Sequence, residues 1–352
     1  MSVTLDELDR KIILDVCGGI YSYNDLAKRC GVGRSTIYRR IERLEESGVI
    51  TKMVMAIPDF TELGLSAISI VMDVTQQDVD KVIDALKTTA YYLKLNSVND
   101  LVNDLNSAFN QAKSKGAPIT NPSLPILYFG DHEKYRQSRF KVITVGLNPS
   151  HHEFPPHSRF SRFKKAESLD NTKPWSKTQV STYITSLNDY FKQNPYNWFD
   201  SFEPILNGMH ASYYPNTEHN TALHTDLCSP FATDITWSKL SVRYRNVLRS
   251  YGVRIWHRLV EILKPDIIML SVARKYLSLI RFRKSTWKKH TSIFSKKDGS
   301  SRSKPYDIEV AKSQIVDKKG YLVYGEAAQK PFGTLSTGYK EIVGERLLDL
   351  FD

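Results

Sequence analysis

The stretch YNDLAKRCGVGRSTIYRRIERLEESGVI (residues 23–50) decides how the chain begins. Its apolar residues recur at helical spacing. They predict a short helix over 23–30 stopped by Gly31, a turn Gly31-Val32-Gly33, and a second helix over 36–47. Ser35 reads as the N-cap of that second helix and Gly48 as its stop. Ile37, Ile41 and Leu44, spaced by four and three, form its core side; Tyr38, Arg39, Arg40 and Arg43 point elsewhere. Two helices joined by a glycine-containing turn are the pattern of a helix-turn-helix. Upstream, residues 5–16 predict a third helix, with Leu5, Leu8, Ile12 and Ile13 on one face. Downstream, 49–57 reads as a strand serving as a wing or hinge.

Charge divides the chain. Residues 1–95 carry 12 Lys/Arg and 14 Asp/Glu, whereas 96–352 carry 37 and 24, a net +13. The field that attracts a polyanion therefore belongs to the long second part. A chain of 352 residues is expected to hold more than one domain.

The runs LDELDRKIILDV (5–16) and 23–50 resemble the Lrp/AsnC transcription regulators, and IPDFTELGLSAISIVMDV (57–74) is similar to that family's hinge and first sensing-domain strand. The resemblance covers about residues 4–90. It implies DNA contact through Arg34, Ser35, Thr36, Arg39 and Arg40, and it suggests a homodimer through the N-terminal part. The family's ligand-sensing domain needs two βαβ-type halves, and 58–95 supplies only a partial, ferredoxin-like half. The polar run NSVNDLVNDLNSAFNQAKSKG (96–116) then departs from the pattern, and 96–139 reads as a helical linker.

From residue 140 a new alternation begins. Short apolar runs at 141–146, 221–227, 266–271 and 320–325 read as strands separated by helices, including 253–263 and 338–351. That predicts an α/β/α three-layer domain over 140–352 with a four-stranded parallel sheet. Ligands of such sheets sit beyond the carboxyl ends of the strands, which points to 146–163, 225–233, 271–275 and 325–337. At the first of these ends, GLNPS (146–150) makes a stiff turn around Asn148, whose amide oxygen can accept from a water and aim it but cannot act as a strong base.

With HEFPPHSRFSRF (152–163), HTDLCSPF (224–231), KPDIIMLSVARKYL (264–277) and PFGTLSTGY (331–339) following in order, residues 140–350 resemble the uracil-DNA glycosylase superfamily, nearest its mismatch-specific and thymine-DNA branch. The resemblance implies hydrolysis of an N-glycosidic bond in flipped-out DNA. Asn148 would position the water, and Phe154 or Phe160 would stack on the base. Asp226 or, one register away, Thr225 would contact the base edge. Lys330 would lie at the DNA and Leu335 would fill the gap in the duplex. Lys330-Pro331-Phe332 stands where the superfamily often has a histidine or asparagine followed by Pro-Ser. A carboxylate at Asp226 prefers an exocyclic amine and so a cytosine-like or modified base, as foreign DNA can carry. The alternative is a Lrp-type regulator whose glycosylase-shaped domain holds DNA without chemistry.

Residues 281–304 hold nine basic side chains, Lys288 and Lys289 among them, against one acid, Asp298. With Trp287 and Phe294 interleaved, they read as a loop riding along phosphates. His151, His152 and His157 lack metal-ligand spacing, and Cys17, Cys30 and Cys228 form no metal or disulfide pattern. No metal or other cofactor is expected. Double-stranded DNA is the expected partner. No membrane segment or signal pattern is visible, so the expected location is cytoplasmic.

Overall fold

The computed structural model describes residues 5–17, 22–47, 49, 98–214, 219–326 and 330–351. The chain separates into two units, residues 1–88 and 89–352. The wing expected over 49–57, apart from Val49, and the half-domain over 58–95 lie outside the described residues.

The first unit contains α1 (Glu7–Cys17), α2 (Tyr23–Cys30) and α3 (Arg34–Glu46). Ile12, Leu26, Ala27, Ile37 and Ile41 make its core. Gly31 ends α2 in the left-handed region at φ 70°, where a side chain would be strained. The third helix begins two residues earlier than the sequence predicts. The Gly33 carbonyl already accepts from the N–H groups of Thr36 and Ile37, so Gly33 takes the N-cap position and Ser35 sits inside the first turn.

Asp9 holds this unit together. Its carboxylate accepts from the Asp6 N–H at 3.1 Å while Asp6 accepts from the Asp9 N–H at 2.9 Å, a reciprocal cap at the start of α1. The same buried carboxylate pairs with Arg40, at 3.1 Å, and with Arg43, both on α3. One side chain thus closes a helix end and ties the first helix to the third.

The second unit is built on a six-stranded sheet. In chain order its strands are β1 (Val142–Gly146), β4 (Leu223–Asp226), β5 (Ile267–Leu270), β6 (Lys288–Ser295), β7 (Ser301–Ile315) and β8 (Lys318–Gly325). The short β2 (Ala211–Ser212) and β3 (Asn220–Thr221) pair separately. The sheet order is β4-β1-β5-β8-β7-β6. The first four of these run parallel, as the apolar runs predict, while β7 and β6 are antiparallel. The sheet is therefore mixed rather than purely parallel. The basic stretch expected as a loop supplies β6 and the start of β7, because Thr291 and Ile293, then Tyr306 and Ile308, alternate inward between exposed lysines.

Helix α4 (Val98–Ser114), expected in a linker, belongs to this unit's core: Leu101, Leu105 and Phe109 are fully buried. It packs on α8 (Val242–Leu263), which starts eleven residues before the predicted helix, with Ser241 accepting from the Tyr244 N–H. The early turns of α8 are rich in arginine, which hides their helical period. Lys264, left-handed at φ 45°, and Pro265 end the helix. Helices α5 (His132–Gln137), α6 (Lys177–Asn188), α7 (Glu203–Gly208) and α9 (Thr337–Leu348) complete the described α-helices, and α9 packs on α7.

Replacing Asp9 should loosen the first unit. Asp9→Ala removes a cap acceptor and the shared partner of two arginines and should cost about 2–3 kcal/mol. Asp9→Asn, which keeps one acceptor, should cost less. Amide hydrogen exchange over residues 7–46 of the full chain measures both; protection equal to the parent in Asp9→Ala would remove Asp9 from this role.

Candidate active site and nucleic-acid interface

The parallel strands of the second unit reverse their order at β1, which lies between β4 and β5. A crevice is expected outside the carboxyl ends at such a point. A cavity of about 500 Å³ opens there. Its lining comes from the segment after β1 (146–153), the end of β4 (His224, Asp226), the segment after β5 (271–273), Thr233 with residues 235–238, and the rings of Tyr196, Trp198 and Phe199.

The turn after β1 is pinned from below. The Gly146 carbonyl accepts from the Leu227 N–H at 3.0 Å, and the Leu147 carbonyl accepts from the N–H groups of Cys228 and Ser229. The Asn148 side-chain amide donates to Thr233 Oγ1 at 3.0 Å and to the Pro149 carbonyl at 2.9 Å. Thr233 in turn donates to the Ile235 carbonyl at 2.7 Å. With its N–H groups used in this way, Asn148 keeps its oxygen as an acceptor of fixed orientation.

Beside it, Gly146 makes room for a buried pair. A Cβ there would lie 2.6 Å from Asp226 Oδ1 and 3.0 Å from His224 Nε2. His224 Nε2 is 3.8 Å from Asp226 Oδ1, and His224 Nδ1 lies 2.7 Å from Thr144 Oγ1, which also meets the Tyr213 hydroxyl. Burial raises the Asp226 carboxyl above the usual range, and His224 opposes that shift. The rings of Phe129, Trp198, Phe199 and Phe202 surround His224, with centroids 5.0–5.8 Å away.

Glu153 is a second buried carboxyl in the lining. Burial pushes it up to about 7, against the hydrogen bond from the Tyr190 hydroxyl at 2.5 Å and the nearby Arg162. From the sequence His224, which flanks the second strand, reads as structural or pocket-lining, whereas nothing there marks Glu153, although it falls in a strand-end segment. The aromatic segment 196–202 reads from the sequence as simple packing, yet Tyr196, Trp198 and Phe199 line the cavity.

Asn148 and Asp226 therefore share one cavity. Thr225 points away from it: its hydroxyl donates to the Thr144 carbonyl and accepts from Trp256 Nε1. Phe154 is fully buried and packs against Phe160 and Phe163; neither Phe154 nor Phe160 is among the lining residues. Leu335 is buried in the core and Lys330 is exposed. Their loop reaches the cavity edge through the Phe332 N–H, which donates to Ser271 Oγ at 3.4 Å. Leu335 would have to leave the core to enter DNA. Lys288 and Lys289 are exposed on β6, the latter paired with Asp307 at 2.7 Å. Among the described residues, no group of three His, Cys, Asp or Glu side chains is arranged to hold a metal.

In the first unit, Arg34, Ser35 and Arg39 are exposed and Thr36 is half-buried, all on or near the start of α3. Arg40 is drawn back instead to Asp6 and Asp9. It contributes to the fold of the unit, and its positive charge is largely offset there.

Among the described residues, no helix is long and apolar enough to cross a membrane. Residues 5–51 match the family model of winged helix-turn-helix DNA-binding domains. The chain is 41% identical over 73 residues to the HTH-type transcriptional regulator FL11 of Pyrococcus horikoshii, across 20% of this chain and 48% of the relative. It is 40% identical over 73 residues to FL11 of Pyrococcus abyssi, across the same shares. It is also 53% identical over 47 residues to an uncharacterised HTH-type transcriptional regulator of Pyrococcus abyssi, across 13% of this chain and 32% of the relative. The chain thus spans about half the length, or less, of these curated relatives. Residues 5–51 are a winged helix-turn-helix DNA-binding module similar to those of HTH-type transcriptional regulators, and an α/β unit with a mixed sheet follows in the chain.

Proposed function

We propose that the chain is a DNA glycosylase that carries its own DNA-binding module. The observation that carries this reading is Asn148. Its amide hydrogens are engaged by Thr233 and Pro149, which fixes the amide plane and leaves the oxygen as an acceptor, on a residue that lines a cavity walled by aromatic rings. An acceptor of this kind orients a water without making it a strong nucleophile, which suits a glycosidic bond that breaks through an oxocarbenium-like state. The aromatic walls and the cavity of about 500 Å³ suit one extruded base. In the reaction the C1′–N bond breaks and the base keeps the electron pair. The water oxygen joins C1′, and the proton it releases passes to Glu153 or to the departing base. The Asp226 carboxylate favours a base with an exocyclic amine, of which cytosine and its modified forms are the pyrimidine examples.

The second reading is a transcription regulator whose α/β unit holds DNA without chemistry. Its support is the likeness of the N-terminal module to regulators and the absence of a histidine in Lys330-Pro331-Phe332.

Duplexes bearing cytosine, modified cytosines, uracil or thymine mismatches, treated with alkali after incubation, separate the two. Glycosylase action gives strand breaks with at least one base, reduced about 100-fold or more in Asn148→Ala while duplex binding is retained. Breaks with no base, or equal breaks in the variant, select the regulator reading.

Glu153 gives a pH signature. Its native carboxyl titrates at about 7 against an ordinary 4.5, so between these values the native state holds a proton that the unfolded chain has lost. Stability should therefore fall as pH rises through that window and level off above it. Glu153→Gln should flatten this slope in urea unfolding and remove the rise of the reaction rate through pH about 7.

A further inference from the structure

The hairpin β6–β7 has a place in the fold that its composition alone does not reveal. Ile308 of β7 pairs with Gly325, the last residue of β8. Because β7 runs antiparallel to β8, the residues from Ser301 to Asp307 and the turn before them extend past the carboxyl ends of the parallel strands. That is the end of the sheet where the cavity opens. Seven residues of strand reach roughly 20 Å. The ribbon is held rather than loose. Its turn is closed by Lys296 N–H to the Ser300 carbonyl at 2.8 Å and by Ser300 N–H to Asp298 Oδ1 at 2.9 Å. Arg302 donates to the Ser295 carbonyl and to the Thr334 carbonyl, which ties the ribbon to the loop 330–337.

What this ribbon presents is unusual for a soluble surface. Phe294, next to the turn, is 65% exposed, while its neighbour Ile293 is buried. Strand alternation turns Phe294 to the side opposite Ile293, and the pairing shifts register between Ile293 and Ser295. Lys296 and Lys297 are exposed in the turn and have no carboxylate within ion-pair distance among the described residues. Lys297 and the exposed Lys330 both act on Lys340, whose amine donates, among the described residues, to the Ser201 and Pro331 carbonyls; burial first, and these two lysines second, push it down to about 8. Exposed positive charge is gathered beside an exposed aromatic ring at the end of the ribbon, and Asp298 of the same turn, which hydrogen bonds from Ser300 and the nearby Lys296 hold below the usual carboxylate range, offsets part of it.

We propose that the β6–β7 hairpin is a second duplex-DNA-binding element, which sets Phe294 against the bases while Lys296, Lys297 and Lys330 hold phosphates. A two-stranded ribbon fits a groove of B-DNA, and an apolar side chain flanked by cations is the equipment for unstacking a base step. In this assignment the wedge is the exposed Phe294, and Leu335 stays in the core. The inference rests on DNA binding alone and holds whether or not the cavity hydrolyses a base.

The test uses the full chain with Arg34→Ala and Arg39→Ala, so that the N-terminal module contributes little, and an undamaged labelled duplex titrated at several salt concentrations. Lys296→Ser with Lys297→Ser should reduce the slope of log affinity against log salt by about 2. Phe294→Ala should weaken binding about tenfold at every salt concentration and leave the slope unchanged. Thermal unfolding should match the parent in both variants, since all three side chains are exposed. Affinity and slope equal to the background in both variants would overturn the proposal. So would preference for duplex RNA over duplex DNA with the same losses.

Discussion

The backbone bonds from Leu227, Cys228 and Ser229 to the carbonyls of Gly146 and Leu147 are the constraint on which the second unit's site depends. They continue the β1–β4 ladder past its last pair, Gly146 with Asp226, and so carry the two chains around the corner together. The turn that holds Asn148 is therefore set by the sheet itself. Thr233 then fixes the amide from the far side. Gly146 is the price of this closeness, because Asp226 and His224 occupy the space that any side chain would need.

A different economy governs the first unit. The start of α1 places Asp6 and Asp9 against Arg40 and Arg43, so part of the basic charge of α3 is neutralised from within. Of the arginines of α3, Arg34 and Arg39 remain exposed outside these ion pairs. The excess of basic over acidic residues lies beyond residue 95, in the unit that holds the cavity and the ribbon.

Periodicity made the helices of the first unit and the four parallel strands legible, because each buries a regular apolar face. It failed where charge overlays the pattern. Arginines hid the first half of α8, and lysines hid β6, whose inward residues Thr291 and Ile293 are few and small. Helix α4 looked like a linker because Asn and Asp separate its apolar residues, although Leu101, Leu105 and Phe109 share one buried side. At the site, the strand-end rule located Asn148 and Asp226. It could not tell which aromatic rings line the cavity. That depends on how 196–202 folds back over β4, which no local pattern records. Thr225 and Asp226 were one register apart in the sequence reading; the alternation of a strand separates them, one turned toward Trp256 and the other toward the cavity.

The outer strand of the sheet has a further consequence. An eight-residue strand with one unpaired side is a ready template for another chain, and among the described residues β6 is such a strand. The two irregularities in its pairing and the exposed Lys288 make it a poor one, since the hydrogen-bonding groups fall out of line and like charges would meet. Edge-to-edge joining is thus disfavoured by the strand's own residues, without help from the lysines of the turn.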